Sequence, residues 1–205
     1  KSGIAVLPKF IDERQCKELT VLIDQIIKEK NYSWKDTDGA DIRIYEAQKY
    51  QLVQDVQKAF EPRVNEIAKK YTDNKNLIYT TLIARIEFKE GNLGSGGGWH
   101  RDSSSPQFKA IIYLSDVQVD NGPFQIIAGS ASMLRTLRDW FAYKLGPAVL
   151  RVTNEQADSM GNIQTESGKA GDILLVNTNI IHRGKPIEKG VRYALTQYFF
   201  DSESA

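Results

Sequence analysis

The N-terminal third of the chain places apolar residues at helical spacing. After Asp12, a residue type that commonly caps helices, apolar residues recur three or four positions apart until the polar Lys30. This apolar set consists of Leu19, Leu22, Ile23, Ile26 and Ile27. A second helical pattern spans residues 51–71, and Pro62 within it predicts a break or kink, because proline lacks a backbone N–H. We expect both helices to pack against a sheet.

From residue 77 onward the pattern is typical of strands. Short runs rich in β-branched and aromatic residues are separated by Gly, Pro, Asn and Asp clusters. They predict strands near residues 77–88, 108–114, 123–127, 148–152, 172–177 and 191–200. One helix is predicted at 132–145, with a face that we expect to contact the core, formed by Met133, Leu137, Trp140, Phe141 and Lys144. This order of elements predicts a mainly β fold, a jelly roll (double-stranded β-helix) flanked by α-helices.

Length and charge narrow the class of protein. The 205 residues favour one domain over 1–205, with 1–76 as a mostly helical support and 77–205 as the jelly-roll core. With 27 Lys+Arg against 26 Asp+Glu, the net charge of +1 gives no reason to expect a nucleic-acid partner. No membrane span or signal peptide is visible, so we expect a cytoplasmic protein. The first residue, Lys1, is compatible with a longer parent chain.

The scarcity of cysteine and histidine restricts the chemistry. A single cysteine, Cys16, excludes an intramolecular disulfide and a cysteine-based zinc site. The two histidines are His100 and His182, and Asp102 stands two positions after the first. In a strand, His100 and Asp102 would point to the same side. Two histidines and one carboxylate form the facial triad of non-haem Fe(II) oxygenases, so these three residues are candidate metal ligands.

Arg192 is the candidate anchor for an anion. It lies ten residues after His182, on a predicted strand whose one face would carry Arg192, Ala194 and Thr196. A guanidinium inside a barrel needs an anionic partner, and its planar fork pairs well with a carboxylate. A dicarboxylate co-substrate would supply that partner. A structural salt bridge and an exposed position on the strand are the alternatives for Arg192.

Several other residues leave two interpretations open. Trp99 and Phe108 either line a substrate pocket or belong to the core. Arg43 and Arg85 either bind an anionic substrate or form surface salt bridges. The glycine-rich run at 91–98 lacks the ending of a phosphate-binding loop, and is either a mobile rim of the active site or a flexible hairpin loop.

The candidate site residues resemble a known superfamily. His100-x-Asp102, His182 and Arg192 are similar to the motif of the Fe(II)/2-oxoglutarate-dependent dioxygenases. Other stretches resemble the phytanoyl-CoA dioxygenase group within it, and the resemblance covers nearly the whole chain. These stretches are GIAVLPKFID at 3–12, DNGPFQIIAGS at 120–130, GDILLV at 171–176 and HRG at 182–184.

The resemblance implies three cofactors and co-substrates, namely Fe(II), 2-oxoglutarate and O2. His100, Asp102 and His182 would hold the iron, and Arg192, helped by Thr196, would bind the distal carboxylate of 2-oxoglutarate. The implied reaction couples decarboxylation of 2-oxoglutarate to hydroxylation of a C–H bond in an unidentified small-molecule or side-chain substrate.

Related halogenases carry a small residue in place of the carboxylate, so Asp102 favours hydroxylation. Two alternatives are a non-oxidative, metal-binding cupin-like isomerase or ligand-binding module, and a non-catalytic barrel. Should Arg192 not bind 2-oxoglutarate, Lys109 is the next candidate.

Overall fold

A computed structural model describes residues 3–37, 39–103, 107–143 and 150–202 of the chain. The strands are β1 Ile4–Leu7, β2 Trp34–Lys35, β3 Asp41–Ile44, β4 Leu77–Glu87, β5 Phe108–Tyr113, β6 Phe124–Ile127, β7 Ile163–Glu166, β8 Ile173–Asn177, β9 His182–Gly184 and β10 Val191–Asp201. The α-helices are α1 Glu13–Lys28, α2 Gln51–Lys58, α3 Glu61–Thr72, α4 Met133–Tyr143 and α5 Asn154–Met160.

Two antiparallel sheets face each other across an apolar core. The larger sheet has the strand order β1-β8-β5-β10-β4-β3-β2, and the smaller has the order β7-β6-β9. Tyr113 and Leu174 of the larger sheet are buried together with Phe124 and Ile126 of the smaller one. The predicted mainly β jelly roll is therefore confirmed. Within the described ranges, none of the helices has the length and apolar character that crossing a membrane requires.

The first three helices cover the outer face of the larger sheet. Asp12 caps α1 as predicted, since its carboxylate accepts from the Gln15 N–H at 2.7 Å and the Gln15 side chain accepts from the Asp12 N–H at 3.1 Å. The predicted break falls between α2 and α3, with Pro62 in the first turn of α3, where a missing N–H costs nothing. The buried residues of these helices include Leu19, Ile23, Val53, Val56, Val64 and Ala68.

The N-terminal region also contributes three short strands that the sequence pattern did not predict. β1 pairs with β8, and β3 pairs with β4, so each is held by a partner that is distant in sequence. Strands of two to four residues are too short to show a period of their own. β3 brings Asp41 and Arg43 to the wall of the functional site.

The prediction that the apolar face of α4 contacts the core is wrong. Met133, Leu137 and Phe141 are 78%, 43% and 86% exposed. Trp140 is half-buried against the cluster around Trp99, and Lys144 lies outside the described residues.

Polar contacts hold α4 in addition to the apolar contact of Trp140. Asp139 is the buried residue of the helix, and the guanidinium of Arg138 donates to its carboxylate at 2.8 Å. The guanidinium of Arg135 donates to the carbonyls of Ala128 and Met160 at 3.2 and 2.7 Å. These hydrogen bonds turn the Asp139 side of the helix inward, whereas the apolar residues had predicted that the opposite side faces the core.

The chain between α4 and β8 differs from the predicted strand at 148–152. Residues 148 and 149 lie outside the described part, and in 150–152 only Arg151 forms a β-bridge, to His100. α5, β7 and β9 were not predicted.

Candidate metal centre

The His-x-Asp motif does not lie on a regular strand, and the prediction is wrong in that detail. His100 forms isolated bridges with His182 and Arg151, and Asp102 lies in a bend. The backbone is nevertheless fixed: His100 and His182 exchange two N–H···O=C bonds of 2.9 and 2.8 Å, and the Asp102 N–H donates to the Thr178 carbonyl at 3.0 Å. These bonds tie the motif to the segment that contains His182.

The structure brings the three predicted metal ligands together. The Asp102 carboxylate lies 3.5 Å from Nε2 of His100 through Oδ1 and 3.7 Å from Nε2 of His182 through Oδ2. One donor atom from each of the three residues lies within 4.8 Å of the others. Atoms that share one metal ion at about 2.0–2.2 Å have separations of this order. The donor set fits a divalent transition metal with open coordination positions.

Hydrogen bonds prepare both imidazoles for this role. Nδ1 of His100 lies 2.8 Å from the Gly98 carbonyl, and Nδ1 of His182 lies 2.9 Å from the Ile180 carbonyl. A carbonyl only accepts, so each Nδ1 carries the hydrogen and each Nε2 keeps its lone pair for a metal. Burial lowers the pKa of His182 to about 3, with further lowering by Lys109 and His100, so the ring stays neutral. Neutral imidazole is the form that ligates metals.

Asp102 is held in its charged form. Burial acts to raise the pKa of Asp102, but the contacts with His100 and Lys109 outweigh it and hold the pKa well below its usual range. The Lys109 ammonium lies 2.5 Å from Oδ2 of Asp102 and 4.1 Å from the centre of the Tyr198 ring. The sequence analysis considered Lys109 only as a substitute for Arg192. A lysine within the otherwise apolar strand FKAIIY was the signal that it has a buried partner.

Arg192 lies inside the barrel and lacks a carboxylate partner. It is only 5% exposed, and its Nε has no hydrogen-bond partner. Among the ion pairs of the described residues none involves Arg192, and burial lowers the pKa of its guanidinium. Gly184 makes room for it, since a Cβ there would lie 2.9 Å from Nη2.

Two cavities meet at the candidate ligands. The smaller, of about 220 Å³, is lined by the two histidines, Asp102 and Arg192, and also by Ala194 and Thr196. The larger, of about 710 Å³, opens above His100 and Asp102. Its walls include Trp34 and the polar or charged residues Asp36, Asp41, Arg43, Asn92 and Arg151.

The glycine-rich run forms part of the rim of the larger cavity. Its five glycines all have positive φ angles, between 67° and 92°, which favour glycine over other residues. The Arg151 guanidinium donates to the carbonyls of Gly96 and Gly97, both at 2.9 Å. A Cβ at Gly96 would collide with the His100 ring, so the loop packs directly on a candidate ligand.

The remaining candidates divide between core and site. Trp99 and Phe108 are buried in two apolar clusters and belong to the core. Arg85 forms salt bridges with Glu87 and Asp24. Arg43 pairs with Asp41 at 2.6 Å, lies over the Trp34 ring and lines both cavities.

A family model described as "Phytanoyl-CoA dioxygenase (PhyH)" matches residues 1–189. The chain belongs to the phytanoyl-CoA dioxygenase family. This membership confirms the predicted resemblance, and the donor set of the site is suited to a metal ion. A search of curated protein sequences finds no match.

Solved structures share the fold of this phytanoyl-CoA dioxygenase family member at low sequence identity. The carbocyclase SnoK from nogalamycin biosynthesis is 17% identical, with a TM-score of 0.74 over 98% of this chain and 81% of SnoK. The epimerase SnoN, in complex with Fe3+, alpha ketoglutarate and nogalamycin RO, is 17% identical, with a TM-score of 0.71 over 98% of this chain and 80% of SnoN. HygX from Streptomyces hygroscopicus, with nickel and 2-oxoglutarate bound, is 16% identical, with a TM-score of 0.64 over 98% and 84% of the two chains.

Proposed function

We propose that the protein is an Fe(II)- and 2-oxoglutarate-dependent oxygenase that hydroxylates a C–H bond of a polar substrate. The observation that carries this proposal is Arg192, a buried guanidinium without a carboxylate partner among the described residues, in the cavity that the His-Asp-His cluster also lines. An unpaired buried charge is strongly unfavourable. A small dicarboxylate that reaches from the metal to Arg192 removes that cost.

Each residue has a defined part in this proposal. His100 and His182 hold the iron through Nε2, because their Nδ1 atoms are engaged by backbone carbonyls. Asp102 supplies the carboxylate ligand. Arg192 binds the distal carboxylate of 2-oxoglutarate, and the Thr196 hydroxyl faces the same cavity. Bound iron with 2-oxoglutarate and O2 would supply the oxidising power.

Asp102 supports hydroxylation as the type of reaction, and the larger cavity supports a polar substrate. Asp102 occupies the position that a small residue takes in related halogenases, which favours transfer of hydroxyl to the substrate. The larger cavity opens on His100 and Asp102, so a substrate within it lies beside the metal. The polar side chains among its walls favour a substrate with several hydrogen-bonding groups, since an apolar chain would leave buried polar groups such as Oδ1 of Asp36 unpaired.

Succinate formation tests the proposed function. The protein is incubated with Fe(II), 2-oxoglutarate and O2, and polar candidate substrates are screened for stimulation of succinate release. We expect succinate release that needs both iron and O2, together with a substrate product heavier by one oxygen atom. Arg85→Ala is a suitable control, because Arg85 is a paired arginine on β4 outside the site.

A non-oxidative isomerase or a binding module would bind 2-oxoglutarate or the metal and form no succinate with any substrate. That result would overturn the oxygenase proposal. A substrate product of unchanged oxygen content, formed with succinate, would keep the oxygenase chemistry and overturn the assignment of hydroxylation.

A further inference from the structure

A buried lysine lies directly against the carboxylate ligand of the candidate metal centre. Lys109 is 6% exposed, and its ammonium lies 2.5 Å from Oδ2 of Asp102. The ring of Tyr198 flanks the ammonium at 4.1 Å from its centre. Lys109 and Tyr198 are register partners on β5 and β10, two strands in the interior of the larger sheet, so the position of the ammonium is fixed by the fold.

The two carboxylate oxygens of Asp102 have different neighbours. Oδ1 is the oxygen nearer to His100, whereas Oδ2 lies at 3.7 Å from His182 and much closer to Lys109. A carboxylate can bind a metal through one oxygen or through both. An ammonium at 2.5 Å competes with a metal for Oδ2 and leaves Oδ1 to the metal.

We propose that Lys109 is a positioning residue that withholds Oδ2 of Asp102 from the metal. This inference rests on the proposed function, in which Asp102 is an iron ligand. With one oxygen withheld, Asp102 and the two histidines occupy three coordination positions and leave three for 2-oxoglutarate and O2. Without Lys109, the second oxygen is free to take one of those positions.

The proposal predicts two opposite effects of removing the charge. The affinity for the metal rises, because a cation beside the site is lost and Asp102 gains a second donor oxygen. The affinity of the metal-loaded protein for 2-oxoglutarate falls, because one position is occupied. A role in folding predicts weaker metal binding instead, and a role as a second anchor for 2-oxoglutarate predicts an unchanged number of ligands on the metal.

The test uses Co(II), whose visible absorption reports the number of ligands. The metal-free protein is titrated with Co(II), and the Co(II) protein is then titrated with 2-oxoglutarate. For Lys109→Met we expect tighter Co(II) binding and weaker 2-oxoglutarate binding, each by about tenfold, the lower end of the range for groups that contact metal ligands. The visible absorption of the Co(II) protein should weaken, as it does when a ligand is added.

Three further variants complete the test. Lys109→Arg keeps the charge and should behave like the wild type in all three readouts. Lys109→Gln is a neutral polar variant that replaces Lys109→Met if the latter does not fold, as judged by circular dichroism. Lys169→Met removes an exposed lysine that lies 2.7 Å from Asp116 and lines neither cavity, and it should change nothing.

Unchanged or weaker Co(II) binding in folded Lys109→Met or Lys109→Gln would overturn the inference. Failure of the proposed function would give a different result. The wild-type protein itself would then bind Co(II) no better than His182→Ala, whatever the lysine variants show.

Discussion

Replacing Arg192 by alanine should weaken 2-oxoglutarate binding by two to three orders of magnitude. The guanidinium is almost fully buried, and no carboxylate of the described residues pairs with it, so the dicarboxylate is its natural partner. Loss of one member of a buried ion pair costs about 3–5 kcal/mol. At 1.4 kcal/mol per tenfold, the dissociation constant of 2-oxoglutarate should rise by about 10²–10³.

The assay separates the anchor from the metal site. Wild type and variant are loaded with Co(II), and 2-oxoglutarate binding is measured by calorimetry after the Co(II) affinity has been determined. Metal affinity should stay nearly constant, because Arg192 is not one of the candidate metal ligands. Arg192→Lys should recover only part of the loss, since an ammonium lacks the planar fork. Arg85→Ala should bind 2-oxoglutarate like the wild type.

One result would refute the assignment of Arg192. If Arg192→Ala shifts the dependence on the main substrate and leaves the 2-oxoglutarate saturation unchanged, Arg192 is not the anchor. Lys109 would then be the next residue to test in that role.

Three further predictions concern other parts of the molecule. Asp102→Ala should abolish product formation and weaken metal binding, measured in parallel; near-normal hydroxylation would mean that Asp102 is not a ligand. Gly184→Ala places a Cβ 2.9 Å from Nη2 of Arg192, so the 2-oxoglutarate affinity should fall while Co(II) affinity is retained, and equal losses of both would contradict the local explanation. Cys16 is buried, and burial raises its pKa to about 12, so at pH 8 its thiol stays protonated. Alkylation of Cys16 should therefore be slow in the native protein and fast in denaturant, and equal rates would show that the cysteine is accessible.

The sequence was sufficient where local chemistry decides the structure. The cap at Asp12, the break at Pro62 and the long strands at 77–87 and 191–201 all follow from residue types within one short window. The metal cluster could also be predicted from the sequence, because a chain with two histidines leaves few ways to build an oxygenase triad.

The sequence was insufficient where distant segments decide the structure. β1 and β3 are strands only because β8 and β4 supply their hydrogen bonds. α4 shows the reverse case: its apolar pattern predicted a core face, but the contacts around Asp139 turned the opposite side inward.

The contact between Lys109 and Asp102 joins a strand residue to a bend seven positions earlier. Side chains alternate between the two faces of a strand, so the sequence can place Lys109 on one face of the sheet. It does not specify which carboxylate Lys109 contacts. That partner depends on how the His-x-Asp segment lies across the two sheets.

The most direct test of the account is the visible absorption of the protein mixed anaerobically with Fe(II) and 2-oxoglutarate. A charge-transfer band forms only when the keto acid chelates the iron, and this measurement needs no knowledge of the substrate. The account predicts a band in the wild-type protein that is absent without Fe(II) and in His182→Ala, and that requires far more 2-oxoglutarate in Arg192→Ala. No band at saturating Fe(II) and 2-oxoglutarate, or an equal band in His182→Ala, would contradict it.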